Sequence, residues 1–344
     1  MLLKQATPPS GGLRTLAAGA AAVVVLWGVK QLGAVIAPAF LALTLTIAVS
    51  PLRNRLTGWA ATFVPLAVVL LVLGGLGAAV AVAVARFAAL MPRYADQYQR
   101  LLASTGQALH GIGIEQDQVK RALSGIDAGR LVQAAESLLS GLAGVASAVV
   151  LIVLVLYGMS LDAVAFRRTL GGLTATRPHL VGALRQFARD TCRYLVVSTI
   201  FGLVVAALDT VALAVLGVPL PLLWGLLSFI TNYIPNVGFV IGLAPPAVLA
   251  LLDSGVATMA GVIVAYCVLN FLIQSVIQPR FVGRSAGLST TVTILSLLVW
   301  TWTLGALGAI LAVPLSSFAR AVLLDADPAT AWASPLVTGR DAPT

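Results

Sequence analysis

An all-α, polytopic integral membrane protein with about eight membrane segments, two of them broken or re-entrant, is the fold class this sequence predicts. Three observations predict it. The chain is 59% hydrophobic and 10% charged, with a mean hydropathy of +1.00, whereas soluble domains carry about 25% charged residues. Several apolar runs reach the roughly 20 residues that cross a bilayer core. Two longer runs, Pro219 to Leu252 and Leu288 to Leu323, carry polar or glycine breaks in their middle.

The first span is read at about Leu16 to Val29 and the second at about Leu32 to Val49, with Lys30 and Gly33 at the turn. Lys4 and Arg14 ahead of an apolar run imitate a secretory signal. The second run follows at once, so a retained helical hairpin is expected. After Arg53 and Arg55 the third span starts near Trp59. These spans form an N-terminal membrane unit, 1–90.

Residues 91–140 are polar with balanced charge: Asp96, Glu115, Asp117, Asp127 and Glu136 against Arg93, Arg100, Lys120, Arg121 and Arg130. Apolar residues at helical spacing (Tyr94, Tyr98, Leu101; Val119, Leu123, Ile126) make this an amphipathic helical layer, with a break at Gly111. The fourth span is 141–163. In the next segment, 164–194, Arg167, Arg168, Arg177, Arg185, Arg189 and Arg193 outweigh Asp190 and, just ahead of the segment, Asp162. Cytoplasmic loops carry such an excess of Arg and Lys. Segment 164–194 is therefore read as cytoplasmic and 91–140 as extracytoplasmic. Arg53 and Arg55 then fall inside, as do both termini.

Residues 195–323 form a C-terminal membrane core, followed by a polar tail, 324–344. Its first span runs from about Leu195 to Leu216. As one helix, Pro219 to Leu252 would be about 50 Å long at about 1.5 Å per residue, too long for one upright crossing. If it folds back as a re-entrant hairpin, the span from Val256 to Ile277 descends and places Arg280 and Arg284 inside. The charge rule favours that path. The hairpin tip would be "NYIPNVG", Asn232 to Gly238. Irregular backbone at membrane depth is tolerated only when buried in protein or lining a wet cavity. The last segment is broken by Thr303, Gly305 and Gly308 and ends at Pro314. Its "ALGAILAVP" echoes the earlier "NVGFVIGLAPP", a weak repeat of the kind seen in the paired broken helices of transporters.

Asp209 has eight uncharged residues on each side. A carboxylate at that depth costs at least about 2.5–3.5 kcal/mol. It is either a proton or cation site, or a hydrogen-bonded structural acid. Asn232, Tyr233, Pro235, Asn236 and Gly238 offer free carbonyls and amides to an ion or small polar solute, or else form an ordinary turn. Gly305 and Gly308 are the matching break. Gln274 and Gln278, four apart, either line a cavity or bond between helices. Arg185, Arg189 and Arg193 share a helical face, which reads as a solvated cytoplasmic surface or a lipid-phosphate contact.

Other chemistries lack their residues. The +9 net charge has no basic–aromatic clustering that would indicate nucleic acid. His110 and His179 are isolated, and no Cys/His/carboxylate cluster suggests a metal. Cys192 and Cys267 read as small apolar packing rather than a disulfide framework. An intramembrane aspartyl protease needs a second carboxylate, and a serine mechanism needs a base inside a span. An enzyme is not expected, nor a cofactor.

The stretch "GVPLPLLWGLLSFITNYIPNVGFVIGLAPP", followed by "NFLIQSVIQPRFVGRSAGLSTTVTILSLLVW" and "LGALGAILAVPL", resembles the autoinducer-2 exporter family of permeases. The similarity runs from the first spans to Pro314. It rests on Asn232, Pro235, Gly238 and Gly242; on Gln278, Pro279, Arg280, Gly283 and Gly287; and on Gly305, Gly308 and Pro314. The family often has proline where this chain has Phe239. The resemblance implies a bacterial inner-membrane permease of about eight segments that forms homo-oligomers. It implies efflux of autoinducer-2 or sodium/proton antiport. No "GxxxxGK[ST]" occurs, so an ion or solute gradient would drive transport. The expected partners are the bilayer and a small polar solute or ion. A membrane scaffold without transport is the rival reading, and the buried polar breaks speak against it.

Overall fold

The computed structural model describes residues 11–110, 128–235, 237–278 and 288–338. Asn236, Pro279, Arg280, Gly283, Arg284 and Gly287 lie outside them, as does the break expected at Gly111. The described elements are helices. They are α1 (Gly11–Gln31), α2 (Gly33–Ala48), α3 (Ser50–Arg53), α4 (Ala60–His110), α5 (Ala128–Gly172) and α6 (Pro178–Val215). There follow α7 (Pro221–Thr231), α8 (Gly238–Ser254), α9 (Val256–Asn270) with a π-helical continuation (Phe271–Ile277), α10 (Thr290–Ile310), α11 (Ala312–Arg320) and a short α12 (Ser334–Thr338).

By length and composition five described helices can cross a membrane: parts of α4, α5, α6, α9 and α10. A sixth is counted if α1 and α2 form one bent span. The expectation of about eight exceeds this because the breaks divide apolar segments into short helices. α7 has 11 residues and α8 has 17. The expected α1–α2 hairpin takes a different form. The two helices meet at 89°, so they do not lie side by side as antiparallel spans. Their bend is pinned from outside. Lys30 Nζ sits 4.0 Å over the Trp302 ring, and Gly33 lies against Leu304 and the Thr303 carbonyl.

The polar layers are not separate units. α4 continues from the third span to His110, and α5 runs from Ala128 through the fourth span to Gly172. Likewise α6 passes without interruption from the arginine-rich segment into the membrane core. A helix satisfies its own backbone whether its solvent is lipid or water, so no break is needed where the solvent changes.

One end of the molecule gathers most of the described basic residues. Arg167 at the end of α5 donates to Asn54 Oδ1. Cys192 Sγ contacts the Ala48 carbonyl at 3.8 Å. Arg320 pairs with Asp190 at 3.6 Å and with Asp325 at 3.0 Å. The Ser289 amide donates to the Val337 carbonyl at 2.9 Å, which ties the C-terminal region to the start of α10.

From this end α6 rises to Val215, and α7 folds back beside it. The helices touch because small residues face each other. A Cβ on Gly225 would collide with Thr210 Oγ1 and lie 2.9 Å from the Ala206 carbonyl. α8 then reverses beside α7: Gly242 packs on Thr231 and Ser228, while Trp224 shares a cluster with Ala247, Leu249 and Ala250. α7 and α8 are the two arms of a hairpin whose tip points toward the arginine-rich end.

The last apolar segment is a second hairpin of opposite direction. α10 leaves the arginine-rich end. At Gly305 its backbone takes φ 67° and ψ −145°, a region that essentially only glycine visits. The chain then returns through α11 to Arg320, with Trp300 Nε1 donating to Ser316 Oγ across the arms at 2.8 Å. The two hairpins meet where Ile234, at the first tip, packs on Leu297, Trp300, Ala309 and Ala312.

Candidate functional site

The first hairpin tip is held by α6. Asn232 Nδ2 donates to the Ser198 carbonyl at 3.0 Å, possible because Gly202 leaves the room: its added Cβ would lie 3.0 Å from Nδ2. Tyr194 Oη donates to the Tyr233 carbonyl at 2.9 Å, and the Tyr233 and Thr199 hydroxyls are 2.7 Å apart. The freed backbone of the break is thus partly answered by α6 side chains. Ring packing of Phe229 on Tyr233, edge to face at 5.7 Å, stiffens the approach.

A polar chain leads inward from the tip. Gln274 Nε2 donates to Asn232 Oδ1 at 3.2 Å and to Asn270 Oδ1 at 2.9 Å. Asn270 Nδ2 in turn donates to the Tyr266 carbonyl at 2.9 Å. Ser228 Oγ donates to Tyr266 Oη over a long 3.4 Å. Tyr266, Asn270 and Gln274 are spaced by four, so one face of α9 and its π-helical continuation carries all three.

These groups surround a cavity bounded by Val205, Asp209, Ser228, Thr231, Asn232, Phe239, Gly242, Tyr266, Asn270 and Gln274. It is small, about 10 Å³ by the volume open to a water's centre, on the order of one water. Asp209 is fully buried, with 0% exposure, and neither carboxylate oxygen makes a well-formed hydrogen bond; the Ser228 hydroxyl is within electrostatic reach but bonds Tyr266 Oη. Native proteins leave few buried polar groups unmatched, and a buried carboxyl is the costliest of them. An unanswered carboxyl beside a water-sized polar space is chemically a place for a proton, a water or a small cation.

Of the residues singled out from the sequence, the fold brings Asp209, Asn232 and Gln274 to this cavity. Tyr233 stands behind it, bonded to α6. Gly238 shapes the tip: a Cβ there would collide with the Thr231 carbonyl. Pro235 lies in the tip but not on the cavity. Gln278 sits past the π-helical turn, away from it. Gly305 and Gly308 shape the second hairpin instead, where a Cβ on Gly308 would collide with the Trp300 carbonyl. Ser228, Thr231 and Tyr266 were not singled out. Their signal was weak but present: Ser228 and Asn232 are four apart, as are Tyr266 and Asn270. Among the described residues no metal-binding cluster of three His, Cys, Asp or Glu exists.

Two breaks of one design, a broken-helix tip and a buried acid are features shared by membrane transporters. The model of the AI-2E family transporter family matches residues 18–326. The chain belongs to this family. Two relatives carry the name "Putative transport protein": YhhT of Escherichia coli K12, 29% identical over 91% of both chains, and one from Haemophilus influenzae, 30% identical over 92% of this chain and 94% of the relative. The AI-2 transport protein TqsA of E. coli K12 is 28% identical over 88% of this chain and 89% of its own. The AI-2E member described here is accordingly a multi-pass membrane protein of a transporter family.

Proposed function

We propose that this protein is a gradient-driven permease that moves a small polar solute or ion outward across a bacterial inner membrane. The observation that carries the reading is Asp209: a fully buried carboxyl with no counter-charge and no well-formed hydrogen bond, facing a polar cavity beside a broken-helix tip. A scaffold gains nothing from that arrangement, which opposes folding. In a carrier it is the group whose charge is balanced by what is carried. The relative named as an AI-2 transport protein supports a small polar solute as cargo. The cavity's size supports a second reading, exchange of protons against a cation such as sodium, because it holds about one water and no sugar-sized molecule.

In this reading the arginine-rich end faces the cytoplasm with both termini, following the excess of Arg and Lys, and copies of the chain assemble as a homo-oligomer. Purified protein in proteoliposomes is the test. Flux of sodium, protons and small polar solutes is followed with and without imposed gradients. Asp209→Asn keeps the shape and removes the titration. Gradient-driven flux should vanish while downhill exchange persists. Full coupling with unchanged pH dependence in Asp209→Asn would overturn the role of Asp209.

A further inference from the structure

Away from the cavity, at the arginine-rich end, one cation is buried without a counter-charge. Arg53 closes the short helix α3 and is 7% exposed. Its Nε and Nη2 are buried and have no hydrogen-bond partner. Among the described residues the side chain makes no ion pair; those present join Arg320 to Asp190 and Asp325. A second guanidinium is held beside it. Arg167 reaches from the end of α5 to Asn54, the next residue in the chain. Burial first, and the nearby Arg167 charge second, hold the Arg53 guanidinium below the ordinary arginine value. Asp162, one turn before Arg167 along α5, is exposed and enters no ion pair.

An arginine in this state is costly. Burying a charge without a partner is strongly unfavourable. Two like charges held together add to that cost. A protein gains from such a pair only when an anion completes it. The planar fork of arginine matches the oxygens of a phosphate in two-point contact. The position fits as well. α3 follows the end of α2, and the uncharged run of α5 ends at Leu161, before Asp162 and Arg167, so the pair lies where the apolar part of the bundle meets its polar end. Basic pockets between helices at that level take phospholipid headgroups.

We propose that Arg53 and Arg167, with Asn54 fixing Arg167, form a binding site for one phosphate group at the arginine-rich end. Arg167, whose side chain is exposed, meets the phosphate directly, and the buried, unpaired Arg53 guanidinium supplies the second charge behind it. The site is separate from the Asp209 cavity and does not depend on what is transported. A phosphate reaches it either as an anionic lipid headgroup or as a free ion.

The test uses the full chain, purified and delipidated in a neutral detergent, with thermal unfolding as the readout. Dioleoylphosphatidylglycerol, dioleoylphosphatidylcholine and inorganic phosphate are titrated separately at matched ionic strength. The wild type should be stabilised by phosphatidylglycerol or by inorganic phosphate. The half-maximal concentration should rise roughly ten- to a hundredfold in Arg53→Gln and Arg167→Gln, the scale of losing one charge-assisted contact. It should not change in Arg177→Gln, an exposed arginine at the same end. Stabilisation by inorganic phosphate assigns a free ion; stabilisation by phosphatidylglycerol alone assigns a lipid. If Arg53→Gln does not fold, Arg167→Gln decides, since its side chain is exposed. No stabilisation by either phosphate source, or an equal loss in Arg177→Gln, overturns the site.

Discussion

Single residues define the cavity by what each leaves unanswered. Gln274 is the donor that satisfies two carbonyl oxygens at once, on Asn232 and on Asn270. Gln274→Leu has similar bulk and no donor. Each oxygen left without a partner costs about 1–3 kcal/mol, and members of one network fail together. Unfolding should shift down by several degrees, and transport should fall with it. Gln278→Leu is the companion measurement. Gln278 lies off the cavity, so its substitution should leave flux unchanged; an equal loss in both variants would contradict the placement of the site. Sequence spacing alone paired Gln274 with Gln278, because both belong to one helical face at i and i+4. The structure pairs Gln274 with Asn270 instead. A π-helical turn, Phe271–Ile277, begins between them and shifts the phase of the face by the time Gln278 is reached.

At the scale of elements the two hairpins share a construction, and glycine makes it possible. Gly238 and Gly308 each lie so close to an earlier carbonyl, of Thr231 and Trp300, that a Cβ has no room. The obstacle is backbone and cannot rotate aside. Gly238→Ala and Gly308→Ala should each destabilise by about 1–3 kcal/mol, the usual cost of overpacking. Gly75→Ala in α4, where nothing lies within 4 Å, should not destabilise and should gain up to about 1 kcal/mol of helix propensity. Thermal unfolding in one detergent compares all three. Equal stability of the Gly238 and Gly75 variants would refute the close approach. This pairing of breaks was legible in the sequence because "NVG" and "ALG" recur before similar apolar runs. The polar wall of the cavity was less legible. Ser228, Thr231 and Tyr266 sit singly in apolar helices and look like ordinary interhelical bonds. Only the close approach of α6, α7 and α8 through Gly225 and Gly242 gives them a common space.

On the scale of the whole molecule, charge and packing make one claim about sidedness. The arginines of segment 164–194 predict a single cytoplasmic end, and the fold joins that segment to two distant parts of the chain, Asn54 and Arg320, while Ser289 and Val337 bond to each other. The hairpin of α7 and α8 is what allows this. It spends a long apolar segment on a down-and-back path, so α9 starts from the far end at Val256 and returns toward the arginines. Two straight crossings would have put Ser254 inside, the start of α10 outside and Val337 inside again, so that Ser289 and Val337 could not bond. Single cysteines in a chain lacking Cys192 and Cys267 separate the two paths. Gly182→Cys and Leu336→Cys, both at exposed positions, should resist an impermeant maleimide added outside intact cells. Ser254→Cys, exposed at the end of α8, should react. Protection of Ser254→Cys alongside Gly182→Cys would mean that α7 and α8 cross once and do not reverse the chain; labelling of both Ser254→Cys and Leu336→Cys would mean that the last segment crosses once.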